Sequence, residues 1–263
     1  MTKNKTIWVT GASSGIGKAL AIAYSKKEVN LILTSRNEKK LHDVRLLCQY
    51  PERVKVLPLD LLAHATFDEK VKIAWSLFNG IDVLINNGGI SQRALAIETK
   101  LEVDQQIFDI NYFGTIALTK ALLPYFIEKK QGQIAVITSV VGKIGTPLRS
   151  SYSGSKHALH GFFDSLRAEI YDSNIAITLI CPGFVNTNVS LNALVGDGSK
   201  QNTKDKATAN GLAPEVFAKR AIKVITKQKQ EAVIGGKLEI LAVYLKRFLP
   251  VLLSKLIRKI PVT

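Results

Sequence analysis

A chain of 263 residues, 46% hydrophobic and 22% charged, can bury the core of one large α/β domain. Its net charge of +15 is carried by dispersed Lys and Arg that are never interleaved with aromatic residues, which argues against a nucleic-acid platform. Cys48 and Cys181 form no CxxC or metal spacing, and no window holds the roughly 18 uncharged apolar residues of a spanning helix. The expectation is a cytoplasmic protein with free thiols, no metal, and a surface biased toward anionic ligands. Apolar periodicity begins at Ile7 and runs straight into a glycine motif, so no signal peptide is expected.

The first predicted strand, 6–10, leads into Thr10-Gly11-Ala12-Ser13-Ser14-Gly15-Ile16-Gly17 and then a helix over 15–27. Glycines at a strand–helix turn let backbone amides approach a pyrophosphate, and the helix start adds a favourable dipole. Gly11, Ser13, Ser14, Gly15, Ile16 and Gly17 are therefore candidate cofactor contacts. The Gly-xxx-Gly-x-Gly spacing departs from the GxGxxG fingerprint, and a purely structural loop stays open on this motif alone.

The second strand, 30–35, ends in Ser35-Arg36-Asn37, where a dinucleotide fold selective for NAD places an Asp or Glu. A guanidinium there suits a 2′-phosphate, so Ser35 and Arg36 point to NADP(H), unless Arg36 only opens the solvated helix 38–48. The third strand, 55–60, ends at Asp60-Leu61; a helix over 67–78 and a strand over 83–86 lead to Asn86-Asn87-Gly88-Gly89. Asp60, Leu61, Asn87 and Gly88 thus lie at strand C-terminal ends, where open α/β sheets bind ligands. Asp60 suits the adenine amino group or a turn cap.

A helix over 101–129 carries Asn111 among apolar neighbours, and the strand 133–139 ends at Ser139. The helix 152–173 opens with Tyr152-Ser153-Gly154-Ser155-Lys156. Tyr152 and Lys156 are four apart and share a helix face, so an ammonium near the phenol is expected to lower the tyrosine pKa. The strand 176–181 runs into Pro182-Gly183-Phe184-Val185-Asn186-Thr187, and residues 190–213 form a long polar loop that suits a substrate lid. A helix over 214–227 and a strand over 231–234 follow. Strand–helix alternation on this scale predicts a Rossmann-type, doubly wound parallel sheet of about seven strands with helices on both faces. We expect a single catalytic domain over 1–236 and a tail over 237–263.

These motifs, in this order and at this spacing, strongly resemble the short-chain dehydrogenase/reductase family. The matches are TGASSGIG at 10–17, Asp60-Leu61, NNGG at 86–89, Asn111, Ser139, YSGSK at 152–156 and PGFVNT at 182–187, covering about residues 5–236. The runs NNGGISQRAL, KQGQIAVITS and SKHALHGFF resemble most the branch holding family member 7 and the 11β-hydroxysteroid-dehydrogenase-like members. The resemblance implies that Tyr152 exchanges a proton with the substrate oxygen and Ser139 hydrogen-bonds it. It implies that Lys156 holds the nicotinamide ribose, Asn111 positions a relay water, and Pro182, Gly183, Val185 and Thr187 meet the nicotinamide end. A homodimer or homotetramer is implied by resemblance of the two long helices. NNGG replaces the family's usual NNAG, a change expected to be tolerated. Relatives in this branch carry an N-terminal membrane anchor; with apolar periodicity beginning at Ile7, attachment through such an anchor is not expected here.

The expected substrate pocket is Ser139, Val141, Ile144 and Phe184, in stretches (Val140, Val141, Ile144, Phe184, Val185) with few polar handles, so the expected substrate is an apolar carbonyl or alcohol that is lipid-, steroid- or retinoid-like. A non-catalytic NADP-binding redox sensor and a basic interaction protein are the alternatives. The tail has a helical apolar stripe at Ile240, Leu241, Tyr244, Leu245, Phe248 and Leu249, then Pro250, then an apolar segment 251–260 with Lys255, Arg258 and Lys259. It fits peripheral contact with a membrane, or packing over the cleft or a partner subunit. With no paired carboxylate in view, His157 and His160 are expected to be structural, and His42 and His64 to lie on the surface.

Overall fold

Alternate residues of the first strand face opposite ways, and both ways are apolar: Ile7 and Val9 look to one side of the sheet, Trp8 to the other. A strand apolar on both faces has to be covered on both, which is the signature of a parallel sheet between helical layers. The computed structural model, which describes residues 4–258, has this arrangement. Its strands are β1 Lys5–Thr10, β2 Val29–Thr34, β3 Val54–Val56, β4 Val83–Asn86, β5 Gly132–Ile137, β6 Ile175–Pro182 and β7 Glu231–Ile234. They form one seven-stranded parallel sheet in the order β3-β2-β1-β4-β5-β6-β7.

The helices are α1 Gly15–Ser25, α2 Glu38–Leu46, α3 Phe67–Ser76, α4 Leu101–Phe108, α5 Gly114–Lys129, α6 Ser150–Glu169, α7 Lys206–Ala209, α8 Pro214–Thr226, α9 Lys237–Phe248 and α10 Pro250–Ile257. Helices α1, α2 and α8 cover one face through Leu20, Leu41 and Phe217. Helices α3, α5 and α6 cover the other through Phe67, Leu122 and Phe163. The buried Trp8 indole donates to Thr34 Oγ1 (2.7 Å), which donates to the Leu57 carbonyl (2.9 Å), so its one polar atom is satisfied while the ring packs.

Most element positions agree with the sequence reading to within a few residues, and three differ for identifiable reasons. β3 is regular only over Val54–Val56, although Leu57 and Leu59 still bond to the Leu33 and Ser35 carbonyls, with the Pro58 nitrogen on the outer edge of the sheet where no ladder donor is needed. The expected helix 101–129 is split by a π-helical turn, Asp109–Phe113, centred on Asn111. The loop 190–213 is pinned by paired backbone at Leu194 and Leu212 and contains α7.

The expected tail reaches residue 263, and its part beyond Arg258 lies outside the described residues. Within them, no helix is long and apolar enough to cross a membrane. Leu253 of α10 is buried against Val140 and Ile144, with Val243 and Leu245 of α9 alongside. The other face of this helical pair leaves Leu238, Tyr244, Phe248 and Val251 exposed.

Candidate active site

The order in which strands are added reverses between β1 and β4, which opens a crevice at their carboxyl ends. Gly11 takes φ +63°, and a Cβ there would lie 2.8 Å from the Gly88 Cα. At Gly17 a Cβ would lie 2.3 Å from the Gly11 carbonyl oxygen, so α1 can close on the loop only without a side chain. Thr10 Oγ1 accepts from the Asn87 and Gly88 amides, 3.0 Å each, and Asn87 Nδ2 donates back to the Thr10 carbonyl at 3.0 Å. The loop is thereby stapled to the end of β4. Ser14, at the start of α1, makes no side-chain cap hydrogen bond, and the first turn holds no acid. These features suit an anionic pyrophosphate.

Gly11, Ser13, Ser14, Gly15 and Ile16 line one side of a cleft of about 640 Å³; Gly17 is buried behind them. Ser35, Arg36 and Lys40 form a cationic corner at the end of β2. Helix α2 takes its cap from Asn37, whose Oδ1 accepts from the Lys40 amide at 2.9 Å, which leaves the exposed Arg36 outside the helix start. Asp60, Leu61, Asn87 and Gly88 continue the wall, and Asp60 also caps the turn to Leu62 at 3.1 Å. The glycine at 88 fits this chain's Leu61, since a Cβ there would meet Leu61 Cδ1 at 2.7 Å. Pro182, Gly183, Val185 and Thr187 line the far end.

Ser139, Tyr152 and Lys156 line the same cleft, brought there by the end of β5 and the start of α6. Ser139 Oγ accepts from the Val141 amide at 3.2 Å and is near enough to Tyr152 to draw its pKa down. Lys156 Nζ donates to the Ile137 carbonyl at 3.0 Å and lies 5.9 Å from the Tyr152 ring centroid. Asn111 is fully buried, accepting from the Ile90 amide (2.8 Å) and donating to the Ile90 carbonyl (2.9 Å) and Ser155 Oγ (3.1 Å). It joins the loop after β4 to α6.

The expected effect of Lys156 on Tyr152 is not what the geometry gives. Burial raises the Tyr152 pKa, and the lowering influences come from the Ser139 hydrogen bond and the charges of Arg93 and Arg149. Burial also pushes Lys156 down to about 8. At this separation, desolvation of the phenol outweighs the nearby ammonium.

Val141, Ile144 and Phe184, expected in the substrate pocket, do not reach the cleft wall. Val141 is buried, and Ile144 packs with Leu253 under α10. Phe184 lies beneath the Arg149 guanidinium (5.7 Å to the ring) and its amide donates to Glu239 Oε1 at 3.1 Å. α9 and α10 cover this corner, a contact invisible in a one-dimensional pattern. Ile90, Ile110, Val189 and Leu194 supply the apolar wall instead.

His160 also departs from the reading. A carboxylate does face it, with Glu231 Oε2 at 3.4 Å from Nδ1 and Cys181 Sγ at 3.7 Å from Nε2. These three side chains could hold a metal by proximity, but Lys143 Nζ already sits 2.6 Å from Glu231 and the Thr138 hydroxyl contacts the sulfur at 3.3 Å. His157 Nδ1 lies 2.8 Å from the Ser153 carbonyl, and His42 is exposed, whereas His64 is half-buried against Phe67.

The sequence reading passed over Gln92 and Arg93, whose quoted run carried no assigned role. Gln92 Oε1 accepts from the Ser151 and Tyr152 amides at 2.9 and 3.3 Å, capping the helix that carries Tyr152. Arg93 forms a buried ion pair with Asp205 of the 190–213 loop, Nη2 to Oδ2 at 2.6 Å. The available signal was a glutamine and an arginine, Gln92-Arg93, just past the end of the fourth strand.

The family model for short chain dehydrogenase matches residues 5–194. Dehydrogenase/reductase SDR family member 7B of Xenopus laevis is 41% identical over 251 residues, covering 93% of this chain and 78% of the relative. Dehydrogenase/reductase SDR family member 7 of Homo sapiens is 37% identical over 250 residues, covering 93% and 74%. Among solved structures, a short chain dehydrogenase/reductase from Burkholderia phymatum in complex with NAD superposes with TM-score 0.83 at 19% identity, covering 94% of this chain and 95% of that one. A short-chain dehydrogenase from Streptomyces avermitilis gives 0.78 at 26% identity, covering 96% and 99%. A crevice shaped for a dinucleotide, in a fold shared with those structures and a sequence shared with those relatives, makes this chain a member of the short-chain dehydrogenase/reductase family of oxidoreductases.

Proposed function

We propose that the protein is an NADP(H)-dependent oxidoreductase interconverting a carbonyl and an alcohol on an apolar, lipid-, steroid- or retinoid-like substrate. The observation that carries this reading is the convergence of Ser139, Tyr152 and Lys156 on one cleft whose opposite end holds Arg36.

The loop amides at 13–16 would hold the pyrophosphate and Ser35 and Arg36 the 2′-phosphate. Asp60, Leu61, Asn87 and Gly88 would bound the adenosine, and Pro182, Gly183, Val185 and Thr187 the nicotinamide end. When bound, NADP(H) supplies or accepts the hydride. Tyr152 gives its phenolic proton to the carbonyl oxygen in reduction and recovers one from the alcohol in oxidation. Ser139 donates to that oxygen and stabilises its developing charge. Burial keeps Tyr152 protonated, which suits the acid of the reductive direction. Lys156, buried beside it, is placed to hold the ribose hydroxyls. Asn111 spends its side chain fixing the Ile90 loop to Ser155, so its role is to position these groups.

The test is NADPH and NADH consumption against retinal, steroid ketones and long-chain aldehydes. Turnover with a higher kcat/KM for NADPH is expected. A preference for NADH would overturn the cofactor assignment, and cofactor binding without turnover would favour the redox-sensor reading.

The outer face of α9 and α10 supports peripheral contact with an anionic membrane. Exposed Leu238, Leu241, Tyr244, Phe248 and Val251 lie on the same two helices as Lys246, Arg247 and Lys255, with Arg258 just after the second. Full-length protein should co-sediment with phosphatidylserine vesicles, and Phe248→Glu should weaken this; binding equal in both proteins would remove the membrane role. Leu101 and Phe113, exposed on and beside α4, support a homodimer or homotetramer, checked by native mass.

A further inference from the structure

The loop 190–213 carries a buried acid, and that acid is held by two arginines from elements beside Tyr152. Asp205 is 5% exposed, Arg93 8% and Arg149 3%, in a fold where unpaired charges at that depth would be costly. Asp205 Oδ2 accepts from Arg93 Nε (2.8 Å) and Nη2 (2.6 Å), and Arg149 Nη2 lies 3.6 Å from the same oxygen. Its other oxygen, Oδ1, accepts from Gln201 of the same loop at 2.8 Å. Arg93 Nη1 bonds to Ser91 Oγ at 2.8 Å and to the Gln92 carbonyl at 2.5 Å, so its guanidinium is locked in one orientation.

The backbone repeats the connection. Arg93 N donates to the Leu194 carbonyl (2.8 Å), Leu194 N to the Ser91 carbonyl (2.9 Å), and Ala94 N to the Leu148 carbonyl (3.1 Å). The segment 91–94 therefore touches the loop on one side and the entry to α6 on the other. Arg149 sits immediately before α6, and its carbonyl accepts from the Ser153 amide at 2.7 Å. Leu194 of the tethered loop is part of the cleft wall.

We propose that Asp205, Arg93 and Arg149 are positioning residues for the Tyr152 chemistry: the Asp205 carboxylate latches the 190–213 loop over the cleft and sets how much positive charge faces the phenol. Two guanidiniums meet one carboxylate here, so loop closure and the electrostatics of the acid are coupled through a single side chain. Burial pushes the Asp205 carboxyl up, but hydrogen bonds from Arg93 and Gln201 and the two arginine charges more than offset this. The groups facing Tyr152 are Lys156 on its own helix, Arg149 before it, Arg93 from the loop after β4 and Ser139 after β5. Asp104 of α4 accepts from the neighbouring Ser151 hydroxyl. The inference rests on Tyr152 being the proton donor.

The sign of the charge change provides the test. NADPH oxidation with retinal as probe is followed against pH in wild type, Asp205→Asn, Arg93→Gln and Arg93→Lys. Reduction needs a protonated Tyr152, so its rate falls as pH rises through the phenol's pKa. Removing the carboxylate should move that alkaline limb to lower pH, and removing the Arg93 charge should move it higher, each by about one unit. Arg93→Lys should return the limb toward wild type. Limbs that stay in place, or that move the same way in both charge-removing variants, would overturn the electrostatic role.

Trypsin reads the latch without turnover. Lys200, Lys204 and Lys206 are exposed on the loop, and Asp205→Asn should be cut there several-fold faster than wild type. Equal cleavage would overturn the latch. If Asp205→Asn does not fold, the Arg93→Gln and Arg93→Lys pair carries both measurements. A Tyr152→Phe control with an unchanged profile would instead defeat the proton-donor reading, while the trypsin result would still decide the latch.

Discussion

At the glycine-loop end of the cleft, the wall is made mostly of main chain. Gly11 and Gly17 bring backbone within distances no side chain would permit, and Thr10 and Asn87 bond to backbone to hold it there. At the loop end, the surface is held by side chains from distant parts of the chain. Arg93 and Asp205 are 112 residues apart, yet share a hydrogen bond of 2.6 Å between buried groups. The first construction is local and depends on the absence of atoms. The second is long-range and depends on charge pairing, so it answers to a change of charge, where the glycine turn answers to an added methyl.

The sharpest break in this comparison is at the residue that joins the two ends. Tyr152→Phe keeps the ring and removes the proton, so turnover should fall by about a thousandfold while NADPH affinity, read by fluorescence titration, stays nearly unchanged. Substantial residual activity would mean that the cleft geometry, and not this phenol, carries the chemistry. At the phosphate end, Arg36→Ala should raise KM for NADPH about tenfold or more and leave the NADH constant almost unmoved. An equal rise for both cofactors would place Arg36 in general electrostatics.

A steric contrast follows at Gly17. Its added methyl would collide with the Gly11 carbonyl, a fixed backbone atom, so Gly17→Ala should cost about 1–3 kcal/mol in denaturant unfolding and weaken NADPH binding. An unperturbed protein would show that the loop yields more than its hydrogen bonds suggest. The smallest effect concerns a charge cluster outside the cleft. The contact with His160, followed by the Lys143 ammonium, holds the Glu231 carboxyl at about 2, below its ordinary 4.5. A depressed folded-state value stabilises the protein above pH 4.5, and that contribution is lost as pH falls toward 2. Glu231 is partly exposed, so the effect on Tm should be modest, and Glu231→Gln should flatten the acid limb of Tm against pH. A variant with the same acid slope as wild type would show that the cluster adds no pH-dependent stability.

The legible half of the site was the half written in contiguous residues. TGASSGIG, the Ser35-Arg36 strand end and the YSGSK helix start each combine spacing with chemistry, because a turn or one helix face brings near neighbours together. Ser139 was legible because strand ends in a parallel sheet share one rim. Val141, Ile144 and Phe184 were misplaced because nothing in their own segments records that α9 and α10 lie over them. His160 looked unpaired for the same reason, since its carboxylate partner is 71 residues away on β7.

The parallel sheet, the glycine turn after β1 and the four-residue spacing of Tyr152 and Lys156 could all be read from the amino-acid order, since periodicity and short-range spacing are local consequences of backbone geometry. Three-dimensional packing alone shows that Gln92 caps the Tyr152 helix, that Asn111 sits in a π turn, and that Asp205 closes on Arg93 and Arg149. It also decided the direction of the Tyr152 pKa. Spacing can predict that Lys156 lies one turn away, but desolvation depends on every atom that excludes water from the phenol, and those atoms come from the whole chain.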